Sequence, residues 1–198
     1  MIPVLLSACD RRCRAREANA LKFSKSKDLL VARIARGVIQ HHQDLWFYQT
    51  TAFNQLVAEF SVALRNIFDD DRSLRPRFFG HVVIELLLDA VLDEKFPGGL
   101  EISYDQIETV DGACVENAIN LFANRPTSKL VAEIARFRRD RYLFDYRTDH
   151  GVAFRISAVF KRLKLDPFDE RILDWMPTAR KQVIDKSPAL LVGLKFSF

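Results

Sequence analysis

The segment from Pro76 to the residue before Pro97, PRFFGHVVIELLLDAVLDEKF, constrains the fold of this chain more than any other. Proline is tolerated in a first helical turn, and the residues that follow are too long and too continuously apolar for one alternating strand. Pro97-Gly98-Gly99 then breaks the element, which predicts a helix of about five turns. Inside it His81, Glu85 and Asp89 recur at i, i+4 and i+8, so all three share one face, and Asp93 extends the line. The other positions from Val82 to Leu92 are apolar, which predicts a helix buried nearly all round. A carboxylate taken out of water costs several kcal/mol unless a cation, a metal or a hydrogen bond offsets it, so a partner is expected to face the stripe.

The rest of the chain reads as helix too. Helical spacing runs from Asp28 to about Trp46, from an N-cap at Thr51 to Phe68, and from Ile102 to about Ala123 with Gly112 as a weak point. Further helices are expected after Pro126-Thr127, from Asp149 and from near Asp169. No segment alternates as a strand between hairpin turns. The expected architecture is therefore all-α, an irregular bundle of about six to seven helices in a single domain spanning residues 28–186. Residues 1–27 form a basic, weakly ordered arm or a weak helix in this reading, and residues 187–198 an apolar tail that packs on its own bundle or covers a partner chain.

Composition excludes several classes. With 48% hydrophobic and 28% charged residues the chain is not a disordered one. No stretch reaches the ~20 apolar residues of a membrane span, so no membrane is expected. Val4 to Cys9 resembles a lipoprotein cleavage site, but no basic residue precedes it. Cys9 and Cys13 have no second cysteine pair for a zinc or iron–sulfur site, and three cysteines without a secretion signal point to free thiols in the cytoplasm. Lys and Arg outnumber Asp and Glu by 9 to 3 in residues 1–40 and by 16 to 9 in 125–198, whereas acids prevail by 14 to 5 between them. An acidic middle between basic ends does not suit a nucleic-acid binder, and no nucleic acid is expected. It suits a carboxylate site beside a basic docking surface.

Candidates to face the stripe are His41, His42 and Asp44 at the end of the first long helix, with Asp149-His150 as a further contributor. Of the two adjacent histidines, which point about 100° apart, one is expected to be a ligand. Imidazole with carboxylates suits Mn²⁺, Fe²⁺ or Zn²⁺, and carboxylates with water suit Mg²⁺. The competing expectation is that Glu85 and Asp89 form buried salt bridges with Arg138, Arg139, Arg141 or Arg155.

Gly37-Val38-Ile39-Gln40-His41-His42-Gln43-Asp44 and Glu85-Leu86-Leu87-Leu88-Asp89-Ala90-Val91-Leu92 together resemble the bacterial acyl carrier protein phosphodiesterases. The resemblance covers residues 37–165 and rests on short motifs. It departs from the family at Glu85, where the family has aspartate, at Ala90, where it has histidine, and in the closer spacing of His41 and Asp44. It implies an all-helical protein that uses a divalent metal to hydrolyse the phosphodiester between phosphopantetheine and a carrier-protein serine. The expected function is thus a metal-dependent phosphoester hydrolase, with Mn or Mg as the leading metal and Fe or Zn as alternatives. His41, His81, Glu85 and Asp89 are the expected ligands, Asp44 is the ligand or catalytic base that orients a water, and an acidic carrier protein is the expected partner. The alternative is a non-catalytic helical interaction protein whose polar stripe is a salt-bridge network. A di-iron bundle is disfavoured because no Glu is followed three residues later by His.

Overall fold

The computed structural model describes residues 2–10, 12–69, 75–163 and 170–192. The chain is all-α. Among the described residues ten α-helices follow in order: α1 (Ile2–Cys9), α2 (Glu17–Leu21), α3 (Leu29–Asp44), α4 (Thr51–Ile67), α5 (Pro76–Lys95), α6 (Gly99–Glu108), α7 (Gly112–Asn120), α8 (Leu130–Asp140), α9 (Asp149–Leu163) and α10 (Arg171–Leu190). Short 3-10 turns cover Leu45–Gln49 and Tyr142–Arg147. Among the described residues, an isolated antiparallel bridge joins Ala15 and Ala123.

The helix count is roughly the one expected, and the additional short helices have local causes. The segment around Gly112 breaks into α6 and α7, because the Asp111 carboxylate accepts from Ala113 N (2.8 Å) and Cys114 N (3.2 Å) and starts a new helix. The N-terminal stretch, expected to be a loose arm or a weak helix, contributes α1 and α2. Thr50 rather than Thr51 caps α4, its hydroxyl accepting from Phe53 N at 3.2 Å.

The helices group into two compact units, each made from two chain segments: unit 1 is Met1–Trp46 with Ile102–Arg141, and unit 2 is Phe47–Glu101 with Tyr142–Phe198. In unit 1 the buried side chains include Leu5, Leu6, Val31, Ile34, Val38, Ile119, Leu130 and Phe137. Polar contacts hold the basic N-terminal stretch to the rest of unit 1. Cys13 Sγ donates to Arg125 O at 3.0 Å, Asn124 N donates to Arg14 O at 2.9 Å, and His42 Nε2 lies 2.9 Å from Ala15 O. Each satisfies a carbonyl that an irregular segment would otherwise leave unpaired.

Unit 2 builds one continuous core from α4, α5, α9 and α10, centred on Phe53, Phe60, Phe79, Leu87, Ile156 and Met176. Gly80 lets α5 approach α4 closely, because a Cβ there would meet Phe60 Cβ at 3.2 Å and Val57 O at 3.3 Å. The expected tail begins inside α10, where Ser187 and Leu190 are buried, so this part packs on its own unit. Residues 193–198 of the tail, and Asp169 at the expected start of the last helix, lie outside the described residues.

Candidate functional site

Helix α5 turns Phe79, Gly80, Val83, Ile84, Leu87, Leu88, Ala90 and Val91 into the core of unit 2. The polar stripe occupies the opposite edge. His81 and Glu85 are half-buried, with 34% and 36% of their side chains exposed, and Asp89 is exposed. The expectation of a helix buried nearly all round is therefore corrected. Buried residues come in pairs three to four apart, which fills a wide face and leaves room for one wet line.

His81 packs its ring between Tyr48 (centroids 4.4 Å apart) and Phe53 (4.9 Å), which burial turns into a pKa below the usual imidazole value. Its Nε2 lies 3.6 Å from Glu85 Oε1, in ion-pair range but too long for a hydrogen bond. Burial and the neighbouring Asp89 charge push the Glu85 carboxyl up to about 7. Crowded surroundings push Asp89 up to about 6, although its own surface stays open to water. Histidine and carboxylic acids thus shift in opposite directions, each towards its neutral form.

The stripe ends differently. Arg147 holds Asp93, Nε to Oδ2 at 2.5 Å, and reaches Glu101 Oε1 at 2.9 Å through its other arm. Asp93 is only 10% exposed, so this is the best-shielded carboxylate of the line and the one with a cation. Sequence reasoning marked Asp93 but missed Arg147, which lies 54 residues away in a 3-10 turn and carries no pattern of its own. It also missed Tyr48 and Phe53 as the walls around His81.

The arginines expected on Glu85 and Asp89 are engaged elsewhere. Arg155 pairs with Asp145, Arg139 with Asp140 (2.9 Å), Arg138 donates to Val110 O, and Arg141 lies over the Tyr104 ring at 4.9 Å. Asp149, of the Asp149-His150 pair, is likewise engaged, held by Arg180 at 2.5 Å.

His41 and Asp44 belong to α3 in unit 1. Burial lowers the His41 pKa to about 4, with the His42 charge adding to the effect and Asp44 opposing it. Its imidazole is therefore neutral and able to accept at neutral pH. His42 is taken up by the N-terminal stretch, and Asp44 Oδ1 accepts from Gln40 Nε2 at 2.6 Å. Gly37, part of the motif around His41, has open space where a Cβ would stand, so packing does not require it.

Of the five expected site residues, unit 2 brings His81, Glu85 and Asp89 onto one line, and unit 1 presents His41 and Asp44 one turn apart. Among the described residues, no three His, Cys, Asp or Glu side chains are placed to hold one metal ion. The closest approach to a ligand set is the His81–Glu85 pair, two donors of the types that bind Mn²⁺, Fe²⁺ or Zn²⁺, with an uncompensated acid one turn on. Comparison with family models, curated proteins and solved structures returned no match for this chain.

Proposed function

We propose that the chain is a metal-dependent phosphoester hydrolase built on the His81–Glu85–Asp89 line. The supporting observation is the charge deficit there: two carboxyls a turn apart are both pushed towards neutrality, beside a deprotonated imidazole. A divalent cation stabilises both carboxylates at once, as a proton stabilises only one. Mg²⁺ or Mn²⁺ is favoured, since two protein donors leave most of the coordination to water, and Fe²⁺ or Zn²⁺ is the alternative.

When bound, the ion supplies charge at the phosphoryl oxygen and acidifies a water. The chain's own side chains do the rest. His81 presents a neutral ring nitrogen fixed by Tyr48 and Phe53, and Glu85, titrating near neutrality, holds or releases a proton at Oε1. The substrate in this reading is a phosphodiester on an acidic carrier protein. A cytoplasmic setting fits three free cysteines and the lack of a described helix long and apolar enough to cross a membrane.

The test is thermal unfolding with EDTA, Mn²⁺, Mg²⁺ or Zn²⁺, alongside hydrolysis of bis(p-nitrophenyl) phosphate. The wild type is expected to gain stability and activity from Mn²⁺ or Mg²⁺, and Asp89→Asn to lose most of both. A wild-type melting temperature indifferent to every metal and to EDTA, with no hydrolysis, sinks the proposal. That outcome favours the second reading, a non-catalytic helical interaction protein, which the Asp93–Arg147–Glu101 ion pairs support.

A further inference from the structure

The corner between α2 and α3 in unit 1 exposes three leucines that its core does not use. Leu21 ends α2, a turn follows, and Leu29 and Leu30 open α3; they are 55%, 70% and 43% exposed. The inner face of α3 is already filled by Val31, Ala32, Ile34, Ala35 and Val38. Around the leucines stand exposed Lys22, Lys25, Lys27, Arg33 and Arg36, against Asp28 as the one acid between residues 21 and 36. Asp28 is occupied in capping α3, accepting from Leu30 N (2.9 Å) and Val31 N (3.2 Å). Arg36 Nη1 donates to Ser24 O at 3.0 Å and Phe23 packs on Phe122 (5.6 Å), so the turn is held to α3 and to the end of α7. Leu121, beside Phe122, is 57% exposed and adds to the apolar surface there.

We propose that this corner is a membrane-surface contact for anionic phospholipids. Leu29 and Leu30 enter the boundary between headgroups and acyl chains, and the lysines on the turn meet lipid phosphates and carboxylates. Charge complementarity identifies the occupant: a basic cluster with its one acid internally engaged fits a negative surface. The apolar part selects a bilayer over a polynucleotide, which offers no apolar layer to bury leucine. The leucines project from a helix–turn–helix tip, and a deformable bilayer accepts a projecting tip without a complementary groove. Such contact needs no spanning helix, so it amends the expectation of no membrane, which rested on span length alone.

Co-sedimentation of the full chain with vesicles tests the proposal. Binding is expected to vesicles of equimolar phosphatidylcholine and phosphatidylserine, to weaken with added salt, and to be absent with phosphatidylcholine alone. Leu29→Ser/Leu30→Ser and Lys22→Glu/Lys25→Glu/Lys27→Glu are each expected to lower the bound fraction on the order of tenfold, with unchanged circular dichroism. Leu21→Ser, across the turn, reads the same contact if the leucine pair variant fails to fold. Wild type remaining in the supernatant overturns the proposal. So does undiminished binding of the leucine variants, and competition by polyglutamate together with that result assigns the corner to an acidic protein.

Discussion

Unit 1 and unit 2 handle ionisable groups in opposite ways. Unit 1 concentrates basic residues on exposed turns and shelters an imidazole, His41, whose burial keeps it neutral. Unit 2 places acids along one helix edge and crowds them until Glu85 and Asp89 resist ionisation. The packing differs in the same sense. Unit 1 carries Gly37 in open space, whereas unit 2 needs the absence of a side chain at Gly80 and Gly151.

The largest effect expected to sharpen this contrast comes from glycine. A Cβ on Gly151 would overlap the Asp145 carbonyl oxygen, a backbone atom that cannot move without distorting the 3-10 turn. Gly151→Ala should lower unfolding stability by about 3 kcal/mol in urea titrations. Gly37→Ala, in an exposed helix interior, should raise it by about 0.5 to 1 kcal/mol. Equal responses would erase the distinction between the units.

Next in size is the loss of the cation at the end of the stripe. Arg147→Ala leaves Asp93, 10% exposed, without its partner and should cost about 2 kcal/mol by the same measurement. If Arg147 instead matters only as a surface charge, added salt will reproduce most of the loss in the wild type.

The smallest effects are slopes with pH, and they have opposite signs. The folded-state pKa of Glu85 is raised from 4.5 to about 7, so its contribution is fully present below 4.5 and is lost as pH rises to 7. The folded-state pKa of His41 is lowered from 6.5 to about 4, so its contribution is present above 6.5 and is lost as pH falls to 4. Melting curves across this range should show Glu85→Gln removing a decline with rising pH and His41→Gln removing a decline with falling pH. Two variants tilting the profile the same way would break the comparison.

Periodicity made the long helices legible, because a core-facing stripe repeats every three to four residues whatever it packs against. Pro76 and Pro97 marked boundaries through local backbone chemistry, and Gly112 marked a weak point. The alignment of His81, Glu85 and Asp89 was also a local fact, fixed by helix geometry. What surrounds them was not. Arg147 reaches Asp93 from a distant turn, Asp145 rather than Glu85 takes Arg155, and Arg180 takes Asp149. Partner choice among many arginines depends on tertiary placement, which periodicity does not encode. The N-terminal stretch escaped for a related reason: its order comes from Cys13, Arg14 and Ala15 meeting residues more than twenty-five positions away.

The two-segment make-up of each unit also sets an order of events during synthesis. Unit 1 gains α7 and α8 only after the middle of the chain has emerged, with residues 47–101 already extruded between its halves. Unit 2 must wait for α10, which supplies Ile172, Met176, Ala179 and Val183 to its core. Until α10 leaves the ribosome, the apolar faces of α4 and α5 lack that cover. Contacts this distant along the chain slow folding and prolong the exposure of sticky intermediates. A nascent chain halted before Arg171 should therefore engage chaperones that the finished protein does not need.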